Sequence, residues 1–114
     1  VPEAYQAKPL DAGRYELTLA GRVYADATPQ LKDHLMALAD QGLRGLLVDA
    51  SELEQIDSSG LNVFVSLLKR IRPEGGKIAF YGLNENIKRV FEITKLATVM
   101  KVAEERSSAL GSLA

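Results

Sequence analysis

The chain has 114 residues, 46% hydrophobic and 25% charged, and 14 Lys and Arg against 15 Asp and Glu give a formal net charge of −1. One globular domain with one hydrophobic core fits this length, and the charge balance argues against a non-specific nucleic-acid binder, which needs an excess of positive charge. Cysteine is absent and histidine occurs once, which excludes disulfides, iron–sulfur clusters and thiolate zinc sites and disfavours any zinc site.

Residues 1–13 carry two prolines and little periodicity, so an arm or leading strand is expected there, ahead of a domain over residues 14–114. Tyr15, Leu17 and Leu19 alternate with Arg14, Glu16, Thr18 and Ala20, the pattern of a half-buried strand. Gly21 interrupts it, and Val23 and Tyr24 continue it after a bend or bulge. A helix follows, with Thr28 as cap and Pro29 in its first position. Leu31, Leu35 and Leu38 recur along it at helical spacing, and Gly42 terminates it.

Residues 44–50 contain the continuous apolar run Leu46-Leu47-Val48 of a strand buried on both faces. Residues 51–56 read as a linker, and Asp57-Ser58-Ser59-Gly60 leads into an apolar-rich helix from Leu61 to Ile71. Pro73 and Gly75-Gly76 end that helix. Residues 77–81 form a strand, Gly82 a turn, and Asn84 the cap of a helix through about Ile93. A short last strand over 98–102 and a last helix over 103–110 complete the chain. The alternation predicts an α/β fold, a single domain with a mixed β-sheet and packed helices, in which the strands at 44–50 and 77–81 run parallel.

The helix after the DSSG segment carries the chemistry. On a helical wheel, Phe64, Val65, Leu68 and Ile71 lie within about 80° of Leu61, and Val63 and Leu67 widen the apolar arc to roughly 200°. Asn62, Ser66, Lys69 and Arg70 occupy the polar remainder. Ser58 projects on its border beside Asn62 and Lys69, and Ser59 falls near Ser66. Asp57 projects over the apolar side, where a carboxylate belongs only if hydrogen-bonded; capping the first-turn N–H groups meets that condition, with Ser58 the other cap candidate. Two serines exceed what one cap needs. One hydroxyl is therefore expected at the surface, at the carboxyl edge of the sheet where α/β proteins place sites. A phosphate there would add about −1.5 to −2 charges and would sit well at the positive end of the helix dipole.

Residues 46–96 resemble the STAS domain family, and in particular its bacterial anti-sigma factor antagonists. A buried strand precedes Asp57-Ser58-Ser59-Gly60-Leu61, a Gly75-Gly76 turn leads into Lys77-Ile78, and a helix rich in Arg and Lys ends near Thr94 and Leu96. Gly21-Arg22-Val23 and the Leu31–Leu38 helix extend the likeness to about residues 14–110. The resemblance implies a STAS-like fold, no catalysis, no cofactor, and phosphorylation of Ser58 by an anti-sigma factor that is itself a serine kinase. It implies further that the unphosphorylated form binds that kinase and frees the sigma factor, and that a metal-dependent Ser/Thr phosphatase restores it. Asp57, Ser59, Gly60, Asn62, Ser66 and Lys69 are then the motif and partner-binding residues, with exposed parts of Val63 or Leu67 as further contacts. Relatives often carry Gly where this chain has Asn62 and Lys95. A left-handed Lys95 would cost on the order of 1 kcal/mol relative to Gly.

Other readings are weaker. A hydrolase built on Ser58, His34 and an Asp lacks the Gly two residues before the nucleophile, where Ile56 stands. Neither dinucleotide nor P-loop spacing surrounds Gly75-Gly76, and Lys69, Arg70 and Arg72 read as a solvated basic face. Within the family, the alternatives are a docking subunit of a lipid-transport ABC system or anion transporter, and a scaffold component of a stress-signalling assembly. No apolar run approaches the roughly 20 residues that cross a bilayer, so no membrane insertion and a cytoplasmic location are expected.

Overall fold

The alternating stretch after Gly13 forms the long strand β2 (Arg14–Val23), around which the sheet is built. The structure, a computed structural model, describes residues 5–11 and 13–113. Of the arm expected over residues 1–13, residues 1–4 and 12 lie outside that part, and β1 (Tyr5–Asp11) pairs antiparallel with β2. Strands β3 (Gly45–Ile56), β4 (Lys77–Tyr81) and β5 (Lys101–Ala103) then add in parallel, giving the five-stranded order β1-β2-β3-β4-β5. This is a single-domain mixed sheet.

One face of the sheet carries three helices, α1 (Thr28–Asp40), α2 (Ser58–Ile71) and α3 (Glu85–Ile93). Their apolar stripes meet Leu17, Leu19, Leu46, Val48, Ile78 and Phe80 of the strands in one core. The opposite face is covered by the short helix α4 (Arg106–Gly111), whose Ala109 packs on Leu47, Ala79 and Tyr81. Burial on both sides explains the unbroken apolar run at residues 46–48.

Several expectations are corrected. Residues 51–56 are strand and not linker: β3 continues to Ile56 because Glu52, Leu53, Gln55 and Ile56 pair with β2 from Ala20 to Val23. Two register shifts in that pairing, at Thr18/Ala20 and Gly21/Arg22, absorb the bend foreseen at Gly21, which has φ 69°. Thr28 does not cap α1. The N-cap is Ala27, and the Thr28 hydroxyl donates instead to the carbonyl of Ala25 at 3.3 Å. The last strand is confined to Lys101–Ala103, since Leu96–Thr98 form a 3-10 turn, and the last helix starts only at Arg106. Glu16 is not on a solvated face of β2: α4 covers it and leaves it 4% exposed.

Candidate functional site

Parallel strands place their carboxyl ends on one edge, and helices α1, α2 and α3 each begin there, directly after β2, β3 and β4. Asp57 is the joint between strand and helix. With extended backbone (φ −93°, ψ −179°) it is the N-cap of α2, and its Oδ1 accepts the backbone N–H of Gly60 at 2.9 Å. The Ser59 hydroxyl donates to the same oxygen at 2.6 Å. Its other oxygen, Oδ2, accepts the backbone N–H of Ala25 at 3.1 Å, and the Asp57 N–H donates to the Val23 carbonyl at 3.2 Å. One side chain thus caps α2 and ties it to the turn between β2 and α1. The donated Ser59 hydroxyl, followed by the Gly60 and Ala25 N–H groups, stabilises the anion and holds this carboxyl below the usual carboxylate range.

The two serines are unlike. Ser59 is half-buried and its hydroxyl is engaged by Asp57, whereas Ser58 is exposed and its hydroxyl has no hydrogen-bond partner among the described residues. Ser58 is the first residue of α2, so its oxygen stands at the end where the helix presents free N–H groups and the positive end of its dipole. Gly60 is fully packed: a Cβ there would lie 2.6 Å from Ile56 Cγ1 and 3.2 Å from the Val23 carbonyl oxygen. Its place in the motif is a matter of close approach between α2 and the strands beneath it.

An open groove of about 410 Å³ runs between α1 and α2, lined among others by Thr28, Lys32, Asp33, Ser59, Asn62 and Ser66. The groove therefore brings together Ser59, Asn62 and Ser66, with Asp57 and Ser58 directly before Ser59 at the start of the same helix. Lys69 does not join them. It lies in the last turn of α2, about 16 Å along the axis from Ser58 at 1.5 Å per residue; angular proximity on a wheel says nothing about height. Val63 and Leu67, expected to offer exposed parts, are 3% and 0% exposed and belong to the core. The apolar arc is centred nearer to them than to Leu61, which is half-buried along with Val65.

The sequence reading missed the α1 side of this surface and the turn before it. The Ala25 N–H, Lys32 and Asp33 come from a segment about 30 residues upstream of the motif, and no local pattern couples a backbone amide to a distant carboxylate. Among the described residues no group of His, Asp and Glu is arranged to hold a metal ion, and no helix is long and apolar enough to cross a membrane.

Comparison with known proteins gives consistent findings. The model of the STAS domain matches residues 6–109. The anti-sigma-B factor antagonist of Bacillus subtilis (strain 168) is 31% identical over 88 residues, covering 77% of this chain and 80% of that protein. A solved structure from Thermotoga maritima, described as that of a candidate anti-sigma factor antagonist, superposes with a TM-score of 0.87 at 25% identity, covering 96% of this chain and 93% of that one. The Bacillus cell fate determinant SpoIIAA in its phosphorylated form superposes with a TM-score of 0.78 at 18% identity, covering 97% and 100%; at that identity the likeness is one of fold.

Proposed function

Since this chain belongs to the STAS domain family, we propose that it is an anti-sigma factor antagonist switched by phosphorylation of Ser58. In its unphosphorylated form it binds an anti-sigma factor that is also a serine kinase, and the sigma factor is released. Phosphorylation ends that binding, and a metal-dependent Ser/Thr phosphatase reverses it. The phosphoryl group comes from ATP held by the kinase, so this chain needs no cofactor, and the partners place the exchange in the cytoplasm.

The observation that carries this reading is the inequality of the two serines. A phosphoacceptor hydroxyl must reach into the active site of another protein, which suits an exposed hydroxyl without internal partners and not one engaged by Asp57. A phosphate on Ser58 is also tolerated by its own helix, because it meets the free N–H groups of the first turn. The signal is then read outside the molecule. The net charge moves from −1 to roughly −2.5 to −3, all at one point beside the neutral polar surface of Asn62, Ser66 and Ser59.

Incubation with the cognate kinase and ATP, followed by mass spectrometry, is expected to place one phosphate on Ser58 and none on Ser59. An active kinase that leaves Ser58 unmodified overturns the assignment. Ser58→Ala is expected to keep kinase binding and resist regulation, and Ser58→Asp to weaken binding. Equal affinities for Ser58→Asp and the wild type would remove charge as the signal.

A further inference from the structure

On the face of the sheet away from Ser58, a single carboxylate lies under a short helix. Glu16 of β2 is 4% exposed. Its Oε2 accepts the Tyr81 hydroxyl of β4 at 2.7 Å, and the Arg106 guanidinium of α4 grips both its oxygens, with Nη2 to Oε1 at 2.9 Å and Nε to Oε2 at 3.2 Å. Lys8 of β1 approaches to 4.0 Å, and from β3 Asp49 bears on the Tyr81 side. Glu16 and Arg106 are 90 residues apart in sequence. Only the carboxylate of this ion pair is buried, the Arg106 side chain being 46% exposed, yet removing Arg106 would strand the Glu16 anion beneath α4. The apolar contact of α4 is modest beside the main core: Ala109 on Leu47, Ala79 and Tyr81, with Leu110 of α4, Leu113 just after it, and Leu10 and Ala103 of the neighbouring strands at its margin. By contrast, α1, α2 and α3 share the large core on the opposite face.

We propose that α4 is a latch, a cover held shut chiefly by the grip of Arg106 on Glu16, which opens as a unit while the α1–α3 side stays folded. Opening exposes the Leu47, Ala79 and Tyr81 face and leaves the Ser58 surface intact. Local opening of this sort is expected where few apolar contacts hold a short element to a stable body.

Titration gives the latch a signature. Arg106, ahead of Tyr81, favours the Glu16 anion and holds its carboxyl below the usual range despite burial. Because the folded value is the lower one, the grip is at full strength above the ordinary carboxylate range and is lost as pH falls through the folded value.

The test is residue-resolved amide hydrogen exchange on the full chain, corrected for intrinsic rates. Arg106→Gln is expected to raise exchange at Ala109 and Leu110 about tenfold, the grip being partly screened because Arg106 is half exposed. Amides of α1, α2 and α3 should keep their protection. In the wild type, lowering the pH through the depressed folded value of Glu16, below the ordinary carboxylate range, should open α4 ahead of the other helices, whereas Glu16→Gln, which lacks the anion at every pH, should show raised α4 exchange already at neutral pH and no further acid-induced step. An unchanged α4, or an equal rise in all helices, overturns the latch.

Discussion

Single residues at the carboxyl edge divide the labour of the DSSG segment. Asp57 fastens three things at once, the first turn of α2, the Ser59 hydroxyl and the Ala25 amide, and this leaves Ser58 as the hydroxyl with nothing to hold. Spacing alone left open which of Asp57 and Ser58 caps the helix and which serine faces the solvent. Both questions turn on the direction of a side chain, which depends on where the β2–α1 turn lies. Lys95 shows the opposite case. The residue is left-handed, with φ 65°, the one positive φ outside glycine among the described residues, so the condition under which lysine is costly there holds. Its carbonyl still accepts from the Thr98 N–H and hydroxyl, bonds that do not need the lysine side chain. Lys95→Gly is therefore expected to stabilise the fold by about 1 kcal/mol, read from urea denaturation with an unchanged m-value.

At the scale of elements, α2 must lie close on β2 and β3 for Asp57 to reach the Ala25 amide. Gly60 permits this, as an added Cβ would sit 2.6 Å from Ile56 Cγ1 and 3.2 Å from the Val23 carbonyl. Gly60→Ala gains helix propensity of nearly 1 kcal/mol but must push the helix off the strands. A net loss of about 1–2 kcal/mol is expected, together with weaker kinase binding through displacement of the Ser58 surface. Calorimetry checks the first and a binding titration the second; a variant more stable than the wild type would show that the approach is not tight. The extension of β3 through residues 51–56 belongs to this scale too. Ser51, Glu52, Glu54 and Gln55 are exposed, so their polarity reads as a linker, while Glu52 and Gln55 pair with β2 across two register shifts that no hydrophobic pattern announces.

Across the whole molecule, three aromatic rings bind the helical layer to the sheet. Phe80 of β4 meets Phe64 of α2 edge-on at 5.1 Å and Phe91 of α3 edge-on at 4.9 Å, and it is 1% exposed. Phe80→Ala is expected to cost about 3–5 kcal/mol and to loosen both helices together, visible as a shifted urea midpoint; a loss below about 1 kcal/mol would mean that the cavity collapses. Most of this architecture is written locally. The period-2 run of β2, the apolar run of β3, the stripe of α1, the Asn84 cap and the Gly75-Gly76 stop are short-range signals, and each is realised where expected, while the stripe of α2 is realised with its centre turned toward Val63 and Leu67. From them the sequence by itself determined a mixed α/β sheet with the DSSG segment at a helix start on its carboxyl edge. Tertiary structure alone decided the rest: which serine is free, the grip of Asp57 on Ala25, the α1–α2 groove, and the burial of Glu16 beneath Arg106. The physical reason is range. Periodicity, caps and turns act within about four residues of chain, whereas side-chain direction and charge pairing are set by segments 30 to 90 residues apart meeting in space.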